Sequence, residues 1–173
     1  MTSADPAASL ANPTALNDLV LYRLARLSAT AGTMVIRLCE GRFGITRREW
    51  RMVALLAESD ALHPSALAER AQLDRARTSR AVSSLVAKGL VLRTVQASDQ
   101  RYAQLRLSEH GRRLHEALFP LVADINRQLI EGLDGRARQA LATSLGHLQD
   151  RAQLLLDRAA VPSHGRGRQR RSQ

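Results

Sequence analysis

The chain has 173 residues, 45% of them hydrophobic, which is enough for one domain with a sizeable core. Its net charge of +10 is concentrated: residues 70–101 hold seven basic and two acidic side chains, and residues 161–173 hold four arginines and no acid. Aromatics make up 3% and cysteine occurs once, which leaves no stacking platform for single-stranded nucleic acid and excludes an internal disulfide.

Residues 1–11 are small and polar and read as a disordered N-terminus. Asn12-Pro13 suits an N-cap and a first helical position. Leu16, Val20, Leu24, Leu27, Ala31, Met34 and Leu38 then predict a long amphipathic helix closing near Gly41, followed by a turn to Gly44. Thr46 and Glu49 have the spacing of a capping box, with Ile45 and Trp50 placed to staple across it. A second helix is expected from there to about Glu58.

The next stretch, His63 to Leu107, reads as helix, turn, helix, strand, loop, strand. Pro64 to Ala71 is a short helix and Gln72-Leu73 the turn. Asp74 is a good N-cap, because its carboxylate accepts free backbone N–H groups and complements the helix dipole. The following helix is expected from Arg75 to Lys88, ending at Gly89. Val82, Leu85 and Val86 are expected to face inward, with Arg77, Arg80 and Ser84 on a different face. After Gly89 the period changes to two, predicting strands Leu90 to Gln96 and Tyr102 to Leu107 around the loop Ala97 to Arg101. The basic patch coincides with this unit, as a surface that displaces counterions from phosphates requires. Of the 26 basic residues only Lys88 is a lysine, and guanidinium suits bidentate phosphate and guanine contacts.

Ser108 is placed to cap a helix from Glu109, with Leu114, Leu118, Val122, Ile125 and Leu129 as its stripe. Pro120 inside it predicts a kink near Ala117 to Phe119. Gly132-Leu133-Asp134 forms a joint, after which Leu141, Leu145, Leu148, Ala152 and Leu155 mark a helix packed along its length. Residues 161–173 read as a disordered basic tail. The long first helix and the last two carry more apolar surface than one small winged domain can cover.

The recognition-helix pattern Asp74-x-x-x-x-x-Arg80-x-Val82-x-x-Leu85-x-x-x-Gly89-Leu90-Val91 and the wing pattern Asp99-x-Arg101 with Leu105-x-Leu107-Ser108-x-x-Gly111 resemble the MarR family (multiple antibiotic resistance regulators). The resemblance covers roughly Leu16 to Arg158. It implies a winged helix-turn-helix whose terminal helices interlock with those of a second copy, giving a homodimer. It implies a DNA surface, for which the candidates are Arg75, Arg77, Thr78, Ser79, Arg80, Ser83, Asp99 and Arg101, with Asp99 orienting the Arg101 guanidinium. It also implies a small, often aromatic and anionic, effector between the dimer helices and the DNA-binding lobe; Arg23, Arg26, Trp50 and Arg51 are the candidates near that junction. Some relatives sense peroxide through a cysteine near the start of the first helix. Cys39 lies instead at that helix's end, where Arg37 and Arg42 would lower its pKa and Glu40 would raise it.

No enzyme constellation is present: no Gly-x-Ser-x-Gly elbow, no glycine-rich phosphate loop and no paired metal histidines. His63, His110, His115, His147 and His164 are scattered, so no metal or other cofactor is expected. No uncharged apolar run approaches the roughly 18 residues of a membrane span, and no secretory pattern precedes the first helix, so a cytoplasmic location is expected. The fold class is mainly α with a small two- or three-stranded antiparallel wing. One regulator domain spans 12–160, with 45–107 as the DNA-binding lobe and 12–41 and 108–160 as dimerisation helices. The expected function is a dimeric regulator, a repressor that binds an inverted-repeat duplex operator and is released by a small effector. The alternatives are an architectural DNA-binding protein with little sequence preference, and a thiol-based redox regulator acting through Cys39.

Overall fold

The computed structural model describes residues 6–96 and 99–158, with side chains throughout except at 6, 7, 95, 96 and 99–102. In chain order the elements are α1 (Pro6–Ala11), a 3-10 turn (Leu16–Asp18), α2 (Val20–Phe43), α3 (Arg47–Ala57), α4 (Pro64–Arg70), α5 (Arg75–Ala87), β1 (Val91–Gln96), β2 (Asp99–Leu107), α6 (Glu109–Leu129) and α7 (Gly135–Arg158). Packing divides the chain into two units, Met1–Leu129 and Ile130–Gln173.

The N-terminal elements differ from the sequence reading. Residues 6–11, expected to be disordered, form α1. The long helix starts at Val20 rather than near Pro13, because the Asp18 carboxylate takes the N–H groups of Thr14 and Ala15 at 3.0 and 2.9 Å and folds Leu16 into a separate turn. It also runs through Gly41 to Phe43. Gly44, at φ 62°, supplies the left-handed residue that stops it, its N–H donating to the Cys39 carbonyl.

The second helix, α3, lies at the centre of the first unit, in contact with α2, α4, α5, α6 and β2. Its start is the predicted capping box: Glu49 N–H donates to Thr46 Oγ1 at 3.2 Å, and Thr46 N–H donates to Glu49 Oε2 at 2.6 Å. Ile45, Trp50, Met52, Val53 and Leu56 drive into one core with Leu67, Leu85, Leu105 and Leu118. Burying a side chain of that size contributes about 1.5–3 kcal/mol.

Two short helices and a hairpin complete the lobe. Gln72, at φ 52°, makes the turn between α4 and α5. Thr78, Ala81, Val82 and Leu85 form the buried face of α5. Val86, expected to face inward, is 39% exposed, since one residue beyond Leu85 the helix has turned about 100° off the core. β1 and β2 pair antiparallel, with Val91 opposite Leu107 and Arg93 opposite Leu105, and the register slips between Thr94 and Gln96. β2 begins at Asp99, paired with Gln96, so the second strand is longer than expected and the five-residue loop is correspondingly shorter. Leu62 adds an isolated bridge to Leu105 through two hydrogen bonds, at 2.9 and 2.8 Å, in place of a full third strand.

The Ser108-x-x-Gly111 signature acts at the join of α5, β1 and α6. Ser108 Oγ accepts the Gly111 N–H at 3.0 Å and donates to the Gly89 carbonyl at 2.6 Å. Ser108 N–H donates to the Leu90 carbonyl at 3.0 Å. α6 is continuous through Pro120. In the second unit, Asp134 caps α7 through the Ala137 N–H at 2.7 Å, and no residue of α7 is buried.

Candidate nucleic-acid interface

The outward face of α5 follows from its buried one. With Thr78, Ala81, Val82 and Leu85 inward, the 3.6-residue period places Arg80 and Ser83 opposite the core, with Ser79 beside them. Arg75, Arg77, Ser79, Arg80 and Ser83 are all exposed. Arg77 is partly engaged: its backbone N–H donates to the Asp74 carboxylate at 2.7 Å, and its Nε lies 3.2 Å from the other carboxylate oxygen. Thr78 departs from the expected set. It is 2% exposed and its hydroxyl donates to the Asp74 carbonyl at 3.0 Å, so it fastens the first turn of the helix instead of offering a polar group outward.

A cleft of about 400 Å³ runs along one side of this face, between α4, α5 and β1. Arg75, Ser79 and Ser83 line it from α5, His63 and Ser65 from the start of α4, and Arg93 from β1. His63 Nδ1 accepts the Ser65 N–H at 3.3 Å and so caps α4. Arg93 and Ser65 have no assignment from the sequence, and His63 enters there only among the scattered histidines. The signal for Arg93 was present, since it lies inside the basic patch on the strand that follows the helix. The side chains of Asp99 and Arg101 lie outside the described residues.

The four effector candidates are not brought together. Trp50 is buried against α6, its ring stacked on His115 at 5.6 Å, with Phe119 a further 5.3 Å along. Arg23 is turned back to the Asn17 carbonyl and Asp18, and Arg26 reaches Asn17 Oδ1 at 3.1 Å; both tie α2 to the preceding turn. Arg51 alone lies at the junction, where it lines an open cleft of about 420 Å³ with Ser28, Arg47, Arg48 and Leu73. Arg51 donates to the Ala71 carbonyl at 3.1 Å and Arg47 to Ser28 Oγ at 3.5 Å. Among the described residues no carboxylate pairs with any of these three arginines. The spacing Arg47-Arg48-x-x-Arg51 in the first turns of α3 was the available signal. Cys39 is 0% exposed; burial, with the Glu40 carboxylate adding to it, pushes its thiol pKa up, and Arg47 offsets this only in part. That environment is the opposite of an activated thiolate.

A MarR family sequence model matches residues 43–101, from the end of α2 into the wing. The chain is 34% identical to the HTH-type transcriptional regulator FarR of Neisseria gonorrhoeae over 101 residues, 58% of this chain and 68% of FarR. The chain belongs to the MarR family. This MarR-family protein is also 31% identical to the homoprotocatechuate degradative operon repressor of Escherichia coli, over 51% of this chain and 60% of that one. A crystal structure of a MarR family transcriptional regulator from Silicibacter pomeroyi DSS-3 matches with a TM-score of 0.66 at 29% identity, covering 78% of this chain and 98% of the other. The winged helix-turn-helix is thus the family fold, and the protein is a DNA-binding transcription regulator of that family.

Proposed function

We propose that this regulator is a homodimeric repressor that reads an inverted-repeat duplex operator and is released by a small anionic effector. The observation that carries the reading is the outward face of α5, where Arg75, Ser79, Arg80 and Ser83 stand clear of the core beside a cleft continued by Arg93. Arginine at such positions can donate two hydrogen bonds to guanine O6 and N7, which serine cannot, so base preference rests on the arginines. The wing residue Arg101, oriented by Asp99, is assigned to the adjacent minor groove, where A·T-rich segments concentrate negative potential.

Dimerisation is supported by apolar surface that a single chain leaves in water. Leu21 of α2 is 80% exposed, and Leu141, Leu145, Leu148 and Leu155 of α7 are exposed at helical spacing. Two copies related by a two-fold axis would place two α5 helices in major grooves about one turn apart, roughly 34–36 Å. The effector assignment rests on Arg47, Arg48 and Arg51, three cations that share one cleft and have no carboxylate partner among the described residues. The lining holds no aromatic ring, so charge is the property the cleft selects for.

Selection of bound sequences from random duplexes tests the operator. The expected product is an inverted repeat with half-sites about 10 base pairs apart. Selected sites without dyad symmetry would overturn the dimeric reading. Deleting residues 161–173 should leave the selected sequence unchanged, whereas an architectural protein held by its basic tail would lose most of its binding. Small carboxylic acids should then release the operator from the parent and fail to release it from Arg48→Ala.

A further inference from the structure

Lys88 is the one lysine among 26 basic residues, and its surroundings explain the exception. Its Nζ donates to the Gly44 carbonyl at 2.9 Å and lies 3.0 and 2.9 Å from the two Glu49 carboxylate oxygens. Three acceptors converge on a single nitrogen and match the three donors of an ammonium; a guanidinium could take the Glu49 carboxylate bidentately but could not bring the Gly44 carbonyl to the same nitrogen. The acceptors belong to two other elements: Gly44 closes α2 and Glu49 sits in the first turn of α3, while Lys88 closes α5. Glu49 is only 3% exposed. Burial alone would raise its carboxyl pKa, but hydrogen bonds from Ser84, the Thr46 backbone and Lys88 outweigh burial and hold it below the usual value. Ser84 of α5 and Lys88, the residue that caps it, therefore grip one buried carboxylate at the joint of α2 and α3.

We propose that Lys88 is a positioning residue for DNA recognition: through Glu49 and Gly44 it fixes the direction in which α5 presents Arg75, Ser79 and Arg80, without touching DNA itself. The inference rests on the DNA-reading role given to α5 above. With 13 residues at 1.5 Å each, α5 is about 20 Å long, so a pivot of about 3° at its Lys88 end moves its first turn by about 1 Å. A bidentate base contact does not survive such a shift, whereas contacts to phosphates, which carry no sequence information, adapt to it. Loss of Lys88 should therefore remove sequence preference before it removes DNA binding.

The test compares Lys88→Met, Lys88→Arg and the double variant Lys88→Met/Glu49→Gln in the full chain. Each is titrated against the duplex selected by the parent and a random duplex of equal length, across a range of salt. Lys88→Met and the double variant are expected to lose at least tenfold on the selected duplex and less than twofold on the random one. The slope of log affinity against log salt should stay at the parent's value. A slope shallower by about 0.9 per subunit would make Lys88 a phosphate contact and overturn the proposal. Equal losses on both duplexes, or none on either, would overturn it too. The double variant leaves no unpaired buried charge, so it stays informative if Lys88→Met unfolds. If both unfold, Lys88→Arg decides: it keeps the charge but not the three-way convergence, and it should lose at least threefold in preference, while full parental preference would refute the idea. A parent that selects no sequence at all would refute the proposed function instead, so the two failures are distinct.

Discussion

A methyl group at Gly111 would stand 2.1 Å from the Leu90 carbonyl oxygen, a backbone atom held by the Ser108 N–H. Gly111→Ala is therefore expected to destabilise the fold by about 1–3 kcal/mol, as overpacking does, read as a lower midpoint in urea denaturation. On the outward face of α5 the arginines differ in their freedom. Arg80 has no acidic neighbour within salt-bridge reach among the described residues, whereas the Arg77 guanidinium is drawn to Asp74. Arg80→Ala should then cost about 1–3 kcal/mol on the selected operator and relax one position per half-site. Arg77→Ala should cost less. Equal weakening on operator and random duplexes would reduce Arg80 to a phosphate contact.

Where α3 meets α6, the stack Trp50–His115–Phe119 gives the lobe a pH response. Burial pushes the His115 pKa below 6.5, although Glu116 and Glu58 pull it up, so the folded state favours the neutral ring. A group with a depressed folded pKa contributes stability above its unfolded value and loses it as pH falls through the folded one. Thermal stability should therefore decline as pH falls below about 6.5, and His115→Gln should flatten that decline. Loss of the Glu49 pairing enters only at lower pH, below its ordinary value of 4.5. This stack also marks what could be read from the sequence. Capping signals are local, and Thr46-x-x-Glu49, Asp74 and Ser108 all appear at the helix starts they announced. Trp50 was harder to place, because its partner His115 lies 65 positions along the chain and no periodicity couples the two. The same holds for the cleft proposed to take an anionic effector. Arg47, Arg48 and Arg51 are visible as residues, but Ser28 and Leu73 join them only because α2 and the turn between α4 and α5 lie beside α3.

For the whole molecule, the exposed leucines predict that recognition of an inverted repeat depends on protein concentration. Leu148→Asp, in the middle of the α7 stripe, should shift sedimentation towards the monomer and abolish preference for the inverted repeat, while far-UV circular dichroism keeps the helical content of the first unit. A dimer that persists would remove α7 from the interface. The knot at Leu90 has a consequence for how operators can vary. Its carbonyl accepts the Ser108 N–H and abuts Gly111, while the Gly89 carbonyl accepts the Ser108 hydroxyl, so the end of the reading helix, the root of the hairpin and the start of α6 share one fastening. The end of the helix and the root of the hairpin are thereby held at one spacing, like the pivot of a caliper. If α5 and the wing read DNA as proposed, operators that differ in the distance between a guanine-bearing step and a flanking A·T segment would have to bend or narrow to fit that spacing. Inserting one base pair there should cost as much affinity as replacing the A·T flank outright, and competition binding between the two altered duplexes would measure it.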